Sequence, residues 1–220
     1  MQMRLSEFLK WIWRGKSARR AFLNMEVAQR IELEGLVLDL GCKGRTSYQE
    51  VLKKSGCARL VLMDIYPGEG VGFCGDVISM PVKDAVFDAA ICFNVLEHVY
   101  DYRAALNEMR RVLKSNGLLY GYVPFICNVH PDPSDYWRFT ADCLQKCLSE
   151  AGFSVECVSP HGGVFISCFD LSSFVVRKLP PLRLLLAIIA LWSEALLARV
   201  RPSYQEKYPV GYFFIGRSLS

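Results

Sequence analysis

Apolar and polar residues form two kinds of pattern along the chain from residue 36 onward. Short apolar runs predict strands, and stretches with apolar residues every three or four positions predict helices. The predicted strands span residues 36–40, 59–64, 71–74, 87–93, 118–123, 154–159 and 212–217. The predicted helices between them span residues 48–55, 102–113 and 140–151. This alternation is typical of an α/β fold, with a mostly parallel seven-stranded sheet and helices on both faces.

Two segments do not fit this alternation. Residues 1–34 are predicted to form a basic helical N-terminal segment ahead of a domain that spans residues 35–220. Residues 163–208 are predicted to form a helical insertion between the sixth and seventh strands, and its centre is strongly apolar. A membrane span needs about 20 apolar residues, whereas Arg183 and Glu194 bracket only ten. The pattern therefore predicts a helix that is buried or lies at an interface.

Charge is distributed unevenly over the 220 residues, whose net charge is +4. Residues 1–30 and 177–220 each carry a net charge of +5, and the stretch between them carries −6. The basic ends could contact anionic lipid, nucleic acid or the acidic middle, or form a solvated face. Nine cysteines without a Cys-x-x-Cys pair predict buried free thiols in a reducing compartment. No secretory signal is visible, so we expect a cytoplasmic protein.

Candidate binding groups follow the predicted strands, and ligands of parallel sheets bind at the carboxyl ends of the strands. Gly41 follows the first strand, where a glycine turn lets the backbone approach a ligand. Asp64 ends the second strand and could accept hydrogen bonds from both ribose hydroxyls of a nucleotide. Asp76 follows the third strand and could accept from an adenine amino group. These positions predict a nucleotide-containing ligand.

Five sequence motifs occur in order along residues 35–160: VLDLGC, LVLMDI, GDV, FDAAICFNVLEHV and EMRRVLKSNGLLYGYVPF. Together they resemble the successive motifs of class I S-adenosylmethionine-dependent methyltransferases, and they are most similar to the type-11 branch. The resemblance implies a Rossmann-like fold and S-adenosylmethionine as cofactor. It also implies a set of cofactor-binding residues, namely Asp39, Gly41, Gly44, Asp64, Ile65, Asp76, Val77 and Asn94.

Within that set, the resemblance places Asp39 and Gly41 at the methionine portion and Asp64 at the ribose. Ile65, Asp76 and Val77 would contact the adenine, and Asn94 would close the pocket. The chain departs from the family pattern at Lys43, where the family usually has a second glycine. This departure leaves an alternative open, in which the protein is a catalytically weak or inactive cofactor-binding module with an interaction role.

A second departure concerns metal. Some ubiquinone-pathway O-methyltransferases carry Glu-x-x-Glu-His and use a divalent ion, whereas this chain has Asn94 at the first position, followed by Glu97 and His98. Asparagine is a poorer ligand for a hard cation than a carboxylate. The sequence therefore predicts no metal, with His98 either a structural residue at a helix start or a catalytic one.

The loop after the fifth strand, residues 124–140, is dense in groups that could perform chemistry. A similar His-x-x-Pro-x-Asp-Tyr-x-Arg-Phe-Thr run follows strand five in many type-11 methyltransferases, which indicates a lid or acceptor loop. We expect His130 to be the general base and Asp135 to orient it or to bind the acceptor. Tyr136 and Arg138 would contact the acceptor or close the cofactor pocket. Alternatively, Asp135, Tyr136 and Arg138 tie the loop together, and His161 is a weaker acceptor candidate on the same rim.

The expected function is O-methylation of a small-molecule, lipid-linked or glycan acceptor. Basic ends would permit nucleic acid or protein as acceptor, but the acidic middle argues against nucleic acid. Trp11, Trp13 and the apolar insertion lie near basic residues, which is typical of docking on an anionic membrane. The rival interpretations are a homodimer interface or a cap on the active site. We therefore expect a cytoplasmic location, with peripheral attachment to the inner face of a membrane as an extension.

Overall fold

The computed structural model describes residues 5–42, 47–54 and 58–219. Its strands are β1 Glu32–Leu33, β2 Leu36–Leu40, β3 Lys53–Lys54, β4 Arg59–Asp64, β5 Phe73–Cys74, β6 Phe87–Phe93, β7 Leu113–Pro124, β8 Phe153–His161 and β9 Gly211–Ser218. Its α-helices are α1 Leu5–Trp13, α2 Ala18–Arg30, α3 Tyr102–Val112, α4 Ala141–Glu150, α5 Val164–Ser172 and α6 Pro180–Val200. Two 3-10 helices span Leu96–His98 and Pro202–Lys207.

Seven strands form one sheet in the order β5-β4-β2-β6-β7-β9-β8. All neighbours are parallel except β9, which is antiparallel to both β7 and β8. The predicted seven-stranded, mostly parallel sheet is thereby confirmed. The chain runs outward from β2 to β4 and β5 and then returns to β6 on the other side of β2. This reversal opens a crevice at the carboxyl ends of β2, β4 and β6, where ligands of such sheets bind.

Side-chain alternation in β2 explains why helices cover both faces of the sheet. Leu38 and Leu40 point to one face and pack in a cluster with residues of α3 and α4. Val37 points to the opposite face and packs in a cluster with Leu23 and Val27 of α2. Four of the five residues of β2 are buried, as expected for a central strand.

The helix predicted for residues 48–55 is wrong over the residues that the structure describes. Residues 47–51 form a turn, and β3 follows and pairs in parallel with β1. Two side chains of the turn bind the end of β2. The Tyr48 hydroxyl donates to Asp39 Oδ1 at 2.8 Å, and Gln49 Nε2 donates to Asp39 Oδ2 at 3.0 Å. This long-range pairing overrides the local helical pattern.

Helices from the two irregular segments pack on each other. Phe8 and Trp11 of α1, Phe22 of α2, Phe169 of α5 and Leu191 of α6 belong to one buried apolar cluster. Trp11 is therefore buried and unavailable to a membrane. The prediction that Trp11 and Trp13 both contact a membrane is thus wrong for Trp11. Trp13 remains exposed.

The two charged residues that bracket the apolar run of α6 are both buried. Arg183 donates to the backbone carbonyls of Ile12, at 2.9 Å, and of Lys16. Glu194 accepts from the backbone N–H of Phe165, at 3.0 Å, at the start of α5. Judged by length and composition alone, α6 could cross a membrane, since an 18-residue window has mean hydropathy 1.8 with 28% buried. The two buried charges instead fix one face of α6 on the protein and leave the other face outward.

The cysteines agree only in part with the prediction of buried free thiols. The eight cysteines within the described residues are all free thiols. Cys42, Cys92 and Cys147 are buried, whereas Cys74 and Cys168 are exposed. Buried cysteines behave as small apolar residues, but the two exposed thiols do not fit that explanation.

Candidate functional site

A cavity of about 430 Å³ lies at the carboxyl ends of β2, β4 and β6. Six of the eight predicted cofactor residues line it, namely Gly41, Asp64, Ile65, Asp76, Val77 and Asn94. The backbone turns sharply where β2 and β6 end. Gly41 has φ +65°, and a Cβ there would lie 2.6 Å from a Val95 methyl group. Asn94 has φ 55° and donates its backbone N–H to Tyr122 at 2.8 Å. These turns bring the two strand ends together at the cavity.

The wall of this first cavity combines apolar surfaces with carboxylates. Ile65 is 55% exposed and Tyr100 is 72% exposed, so both offer open surface for a flat ring. Asp64 ends β4 and is nearly buried, and its Oδ1 accepts from the backbone N–H of Tyr66 at 3.1 Å. Asp76 is exposed, and its Oδ1 accepts from the N–H of Ile78 at 3.1 Å. A ring with amino and hydroxyl donors suits this wall.

Among the predicted cofactor residues that the structure describes, Asp39 is not in the cavity wall. Asp39 is fully buried and lines neither of the two cavities described here, because its carboxylate binds Tyr48 and Gln49. Its position indicates a role in holding the turn beside Gly41 rather than direct contact with a ligand. Gly44, and Lys43 whose side chain raised doubt about binding, lie outside the described residues.

A second cavity of about 430 Å³ adjoins the first. Gly41, Asn94, His98 and Asp132 line both cavities. The other residues of the second wall come from distant parts of the chain, namely Ser17, Arg19, Arg20, Leu23, Cys42, Tyr48, Phe93, Tyr122, His130 and Pro131. Two cavities with a shared wall can hold two reactants in contact, which is the main requirement for group transfer.

His130 lies in the wall of the second cavity. Its backbone N–H donates to Asp135 Oδ2 at 2.9 Å, and its Nδ1 lies 3.0 Å from the Asn128 carbonyl. Interaction with the Cys127 thiol, then with the Glu97 carboxylate, raises the pKa of His130 to about 10. In this state His130 holds a proton near neutral pH. A general base must be unprotonated. His130 could therefore act as one only if another cation compensated the charge of Glu97 in its place.

The other loop residues were expected either to line the ligand site or to tie the loop together, and the structure shows some in each position. Both guanidinium nitrogens of Arg138 reach the Asp135 carboxylate, at 2.5 and 2.7 Å, and this ion pair holds the pKa of Asp135 well below its usual range. Arg138 lines neither cavity, which matches the alternative in which the pair ties the loop together. Tyr136 lines the first cavity and donates its backbone N–H to the Glu97 carbonyl at 2.8 Å.

His161 is not on the rim of either cavity, which corrects its prediction as an acceptor contact. It is 2% exposed, and its Nε2 lies 2.9 Å from Glu26 Oε1. Its ring also stacks on Phe22 at 5.4 Å and on Tyr122 at 6.0 Å. Burial between two rings and a carboxylate makes His161 a packing residue that joins α2 to β8.

Sequence reasoning missed the contribution of α2 to the second cavity. Arg19 lines it and pairs with Asp170 at 3.0 Å. Arg20 also lines it, burial lowers its pKa, and its buried Nη1 has no hydrogen-bond partner among the described residues. Nothing in the local pattern of residues 17–20 marks them as binding residues, because their role depends on how α2 packs on the sheet.

The fold is a mostly parallel α/β sheet with a cavity at its switch point, where nucleotide-containing ligands bind in such sheets. Residues 38–121 match the family model described as a methyltransferase domain, type 11. The match identifies residues 38–121 as a methyltransferase domain of the class I, type-11 kind, which uses S-adenosylmethionine as its cofactor.

Two relatives illustrate the extent of the likeness. An uncharacterized protein of Methanocaldococcus jannaschii is 39% identical over 88 residues, which cover 38% of each chain. A probable S-adenosylmethionine-dependent methyltransferase of Mycobacterium tuberculosis is 31% identical over 84 residues, which cover 36% of this chain and 31% of the relative. The chain thus spans less than two fifths of the length of these two relatives.

Solved structures share the fold at low identity. A chain of the complex between the Haloferax volcanii Trm112 methyltransferase activator and a methyltransferase superposes with TM-score 0.61 and 17% identity, covering 98% of this chain and 97% of that chain. Phosphoethanolamine N-methyltransferase 2 of Haemonchus contortus, in complex with S-adenosyl-L-methionine, superposes with TM-score 0.59 and 12% identity. The superposition covers 98% of this chain and 57% of that chain. At these identities the likeness establishes the fold.

Proposed function

We propose that the protein transfers the methyl group of S-adenosylmethionine to an oxygen of an acceptor bound in the second cavity. The shared wall of the two cavities carries this proposal, because the methyl donor and the acceptor must meet there. In the reaction, an acceptor oxygen attacks the methyl carbon and a C–O bond forms. The C–S bond breaks, S-adenosylhomocysteine leaves, and the hydroxyl proton passes to solvent or to a nearby group.

The proposal places the cofactor in the first cavity in the following orientation. Asp76 and the exposed face of Ile65 suit the adenine, and Asp64 suits the ribose hydroxyls. Gly41 would then lie beside the methionine portion, at the wall that both cavities share. The reactive methyl group would therefore face the second cavity, while most of the cofactor stays on the first side.

The charge of the second cavity supports an acceptor that carries a phosphate or a carboxylate. Arg20 brings a buried guanidinium nitrogen without a hydrogen-bond partner among the described residues, and a planar guanidinium binds such anions with two parallel hydrogen bonds. Small anionic molecules and phosphate-linked lipids or glycans all meet this requirement.

The outward face of α6 favours a lipid-linked acceptor within that group. Its exposed apolar residues are Leu182, Leu185, Leu186, Ile189, Trp192, Leu196 and Val200. The exposed charged residues from position 171 to position 201 are all positive, namely Arg177, Lys178, Arg199 and Arg201. An apolar face flanked by cations alone complements an anionic bilayer surface. We therefore extend the proposal to peripheral attachment on the cytoplasmic face of a membrane.

Calorimetric titration with S-adenosylmethionine and S-adenosylhomocysteine tests the cofactor half of the proposal. Asp64→Ala should weaken binding by about 10²-fold or more, because two hydrogen bonds to a charged group are lost. Glu69→Ala is the matched control, since Glu69 is an exposed acid in the next loop and lines neither cavity. No binding by the folded wild-type chain would refute the proposal.

Release of S-adenosylhomocysteine in the presence of candidate acceptors tests the transfer itself. We expect turnover with an anionic lipid or glycan fraction and none with acceptor-free buffer. Tight cofactor binding without turnover on lipid, glycan or small anionic acceptors would favour the non-catalytic binding module instead.

A further inference from the structure

Three metal-ligating side chains converge at the wall between the two cavities. Glu97 and His98 belong to the 3-10 helix that follows β6, and His130 belongs to the loop that follows β7. One ligand atom from each of the three lies within 4.8 Å of the others. Glu97 Oε1 is 3.8 Å from His98 Nε2 and 3.7 Å from His130 Nε2. These separations are too long for hydrogen bonds, but two ligand atoms of one metal ion typically lie this far apart.

Both imidazoles are oriented by their other ring nitrogen. His98 Nδ1 lies 2.5 Å from the Ser134 carbonyl, and His130 Nδ1 lies 3.0 Å from the Asn128 carbonyl. A carbonyl oxygen can only accept, so each Nδ1 must carry the hydrogen. In the neutral form of each ring, Nε2 then presents its lone pair toward the same carboxylate oxygen. Metal-ligating histidines in proteins show this arrangement, in which the outer nitrogen donates to a backbone carbonyl or a carboxylate.

Glu97 supplies a second and independent observation. Its side chain is fully buried, and neither carboxylate oxygen has a hydrogen-bond partner among the described residues. A buried carboxylate is stable only when a cation or hydrogen-bond donors compensate its charge. The Glu97 backbone carbonyl accepts from the N–H groups of Tyr136 and Trp137, so the His130 loop is fixed over this residue.

We propose that Glu97, His98 and His130 bind one divalent first-row transition-metal ion such as Zn²⁺. Two imidazole nitrogens and one carboxylate oxygen match the ligand preferences of these ions and leave coordination positions open. This reverses the prediction of no metal, which rested on Asn94 in place of a carboxylate ligand. The third ligand comes instead from His130, which is far along the chain and reaches the site through the fold.

The consequence for catalysis rests on the proposed function. His98 lines both cavities and His130 lines the second, so the open positions of the ion would face the acceptor. An acceptor hydroxyl bound there would lose its proton to solvent more readily, because a bound cation lowers the pKa of an oxygen ligand. The resulting oxygen anion would attack the methyl carbon without a protein base. This arrangement removes the need for His130 to act as that base.

Binding of Co²⁺ and Zn²⁺ by the purified full chain tests the proposal without any acceptor. We expect one Co²⁺ per chain, with a visible spectrum that lacks the thiolate charge-transfer band. Glu97→Gln, His98→Gln and His130→Gln should each weaken binding by at least about tenfold. Asp132→Asn and Cys127→Ala are the matched controls, because they change a neighbouring carboxylate and the neighbouring thiol and should not weaken binding.

Far-ultraviolet circular dichroism and cooperative thermal unfolding, measured on the same samples, report whether each variant remains folded. Should a single variant fail to fold, the His98→Gln/His130→Gln double variant provides the second measurement. Three results would overturn the metal site: no ion bound by the folded wild-type chain, binding that survives in the double variant, or a thiolate band that Cys127→Ala removes. Cofactor binding and methyl transfer without a bound metal would overturn this inference alone and leave the proposed function standing.

Discussion

The two cavities have the same volume and share a wall, yet the chain builds them in different ways. The first is formed mainly by segments that follow β2, β4, β5 and β6, so strand order brings most of its residues together, and the loop after β7 adds Asp132, Pro133 and Tyr136. The second takes residues from α2, from the turn at 47–51 and from the loop after β7. In the proposed function, cofactor binding therefore depends mainly on the sheet, whereas acceptor binding depends on how separate segments pack against it.

This difference predicts that changes on the two sides can be separated. A substitution in the acceptor wall should alter turnover or acceptor affinity and leave the cofactor dissociation constant unchanged. A substitution at the shared wall should affect both.

His130→Ala should give the largest effect confined to the acceptor side. Turnover should fall by about 10²–10⁴-fold if His130 acts in proton transfer, and a large loss is also expected if it is a metal ligand. Cofactor binding should not change, since His130 does not line the first cavity. Steady-state release of S-adenosylhomocysteine would measure turnover, and calorimetry would measure cofactor binding. A turnover loss below tenfold, or a matching loss of cofactor affinity, would contradict the separation.

Arg20→Gln should raise the acceptor KM by about 10–100-fold, because a hydrogen-bonded ion pair with the acceptor is lost. The kcat at saturating acceptor should change little, since Arg20 binds the anionic group rather than the reacting oxygen. Arg103→Gln on α3 is the control, because Arg103 is exposed and lines neither cavity. An unchanged KM for every anionic acceptor would show that Arg20 is a packing residue.

The sheet and most of the cofactor side were predictable from sequence because their determinants are local. Asp64 and Asn94 each stand at the end of an apolar run, and parallel strands bring such ends to one edge. The helix predicted for residues 48–55 was wrong because its determinants are not local. Its residues carry a helical pattern, but Tyr48 and Gln49 bind Asp39, and such a contact between separate segments leaves no periodic signal.

The acceptor side was only partly predictable for the same physical reason. His130 was identified from its loop, but its partner Glu97 belongs to another segment. His161 is the last residue of β8, where a rim residue could stand, yet Glu26 of α2 pairs with it from 135 positions away. Pairings at such separations are determined by packing, so sequence could identify the chemical groups without identifying their neighbours.

Trp192→Ser should weaken binding to anionic vesicles by about tenfold, because one large side chain no longer enters the lipid. Flotation at low salt with vesicles of phosphatidylglycerol and phosphatidylcholine would measure this. Leu219→Ser is the control, since Leu219 is also exposed and apolar but lies outside α6. The double substitution Arg199→Gln/Arg201→Gln should reduce binding and its salt dependence.

The same α6 variants distinguish a membrane from a second copy of the chain. If wild-type protein fails to float and light scattering finds a dimer that Trp192→Ser dissociates, α6 is a dimer interface. Activity on a soluble anionic acceptor should be unaffected by Trp192→Ser, because Trp192 lines neither cavity. Loss of that activity would instead mean that α6 shapes the acceptor wall.

Gly41→Ala should give the smallest effect, but one that reaches both sides. The positive φ of Gly41 would cost an alanine about 1–2 kcal/mol, and its Cβ would press on Val95. The free energy of unfolding should fall by a similar amount in denaturant titrations. Since Gly41 lines both cavities, cofactor affinity and acceptor KM should both worsen. If only cofactor affinity changed, the two cavities would not share this wall in the working protein, and the acceptor would have to approach the methyl group from another side.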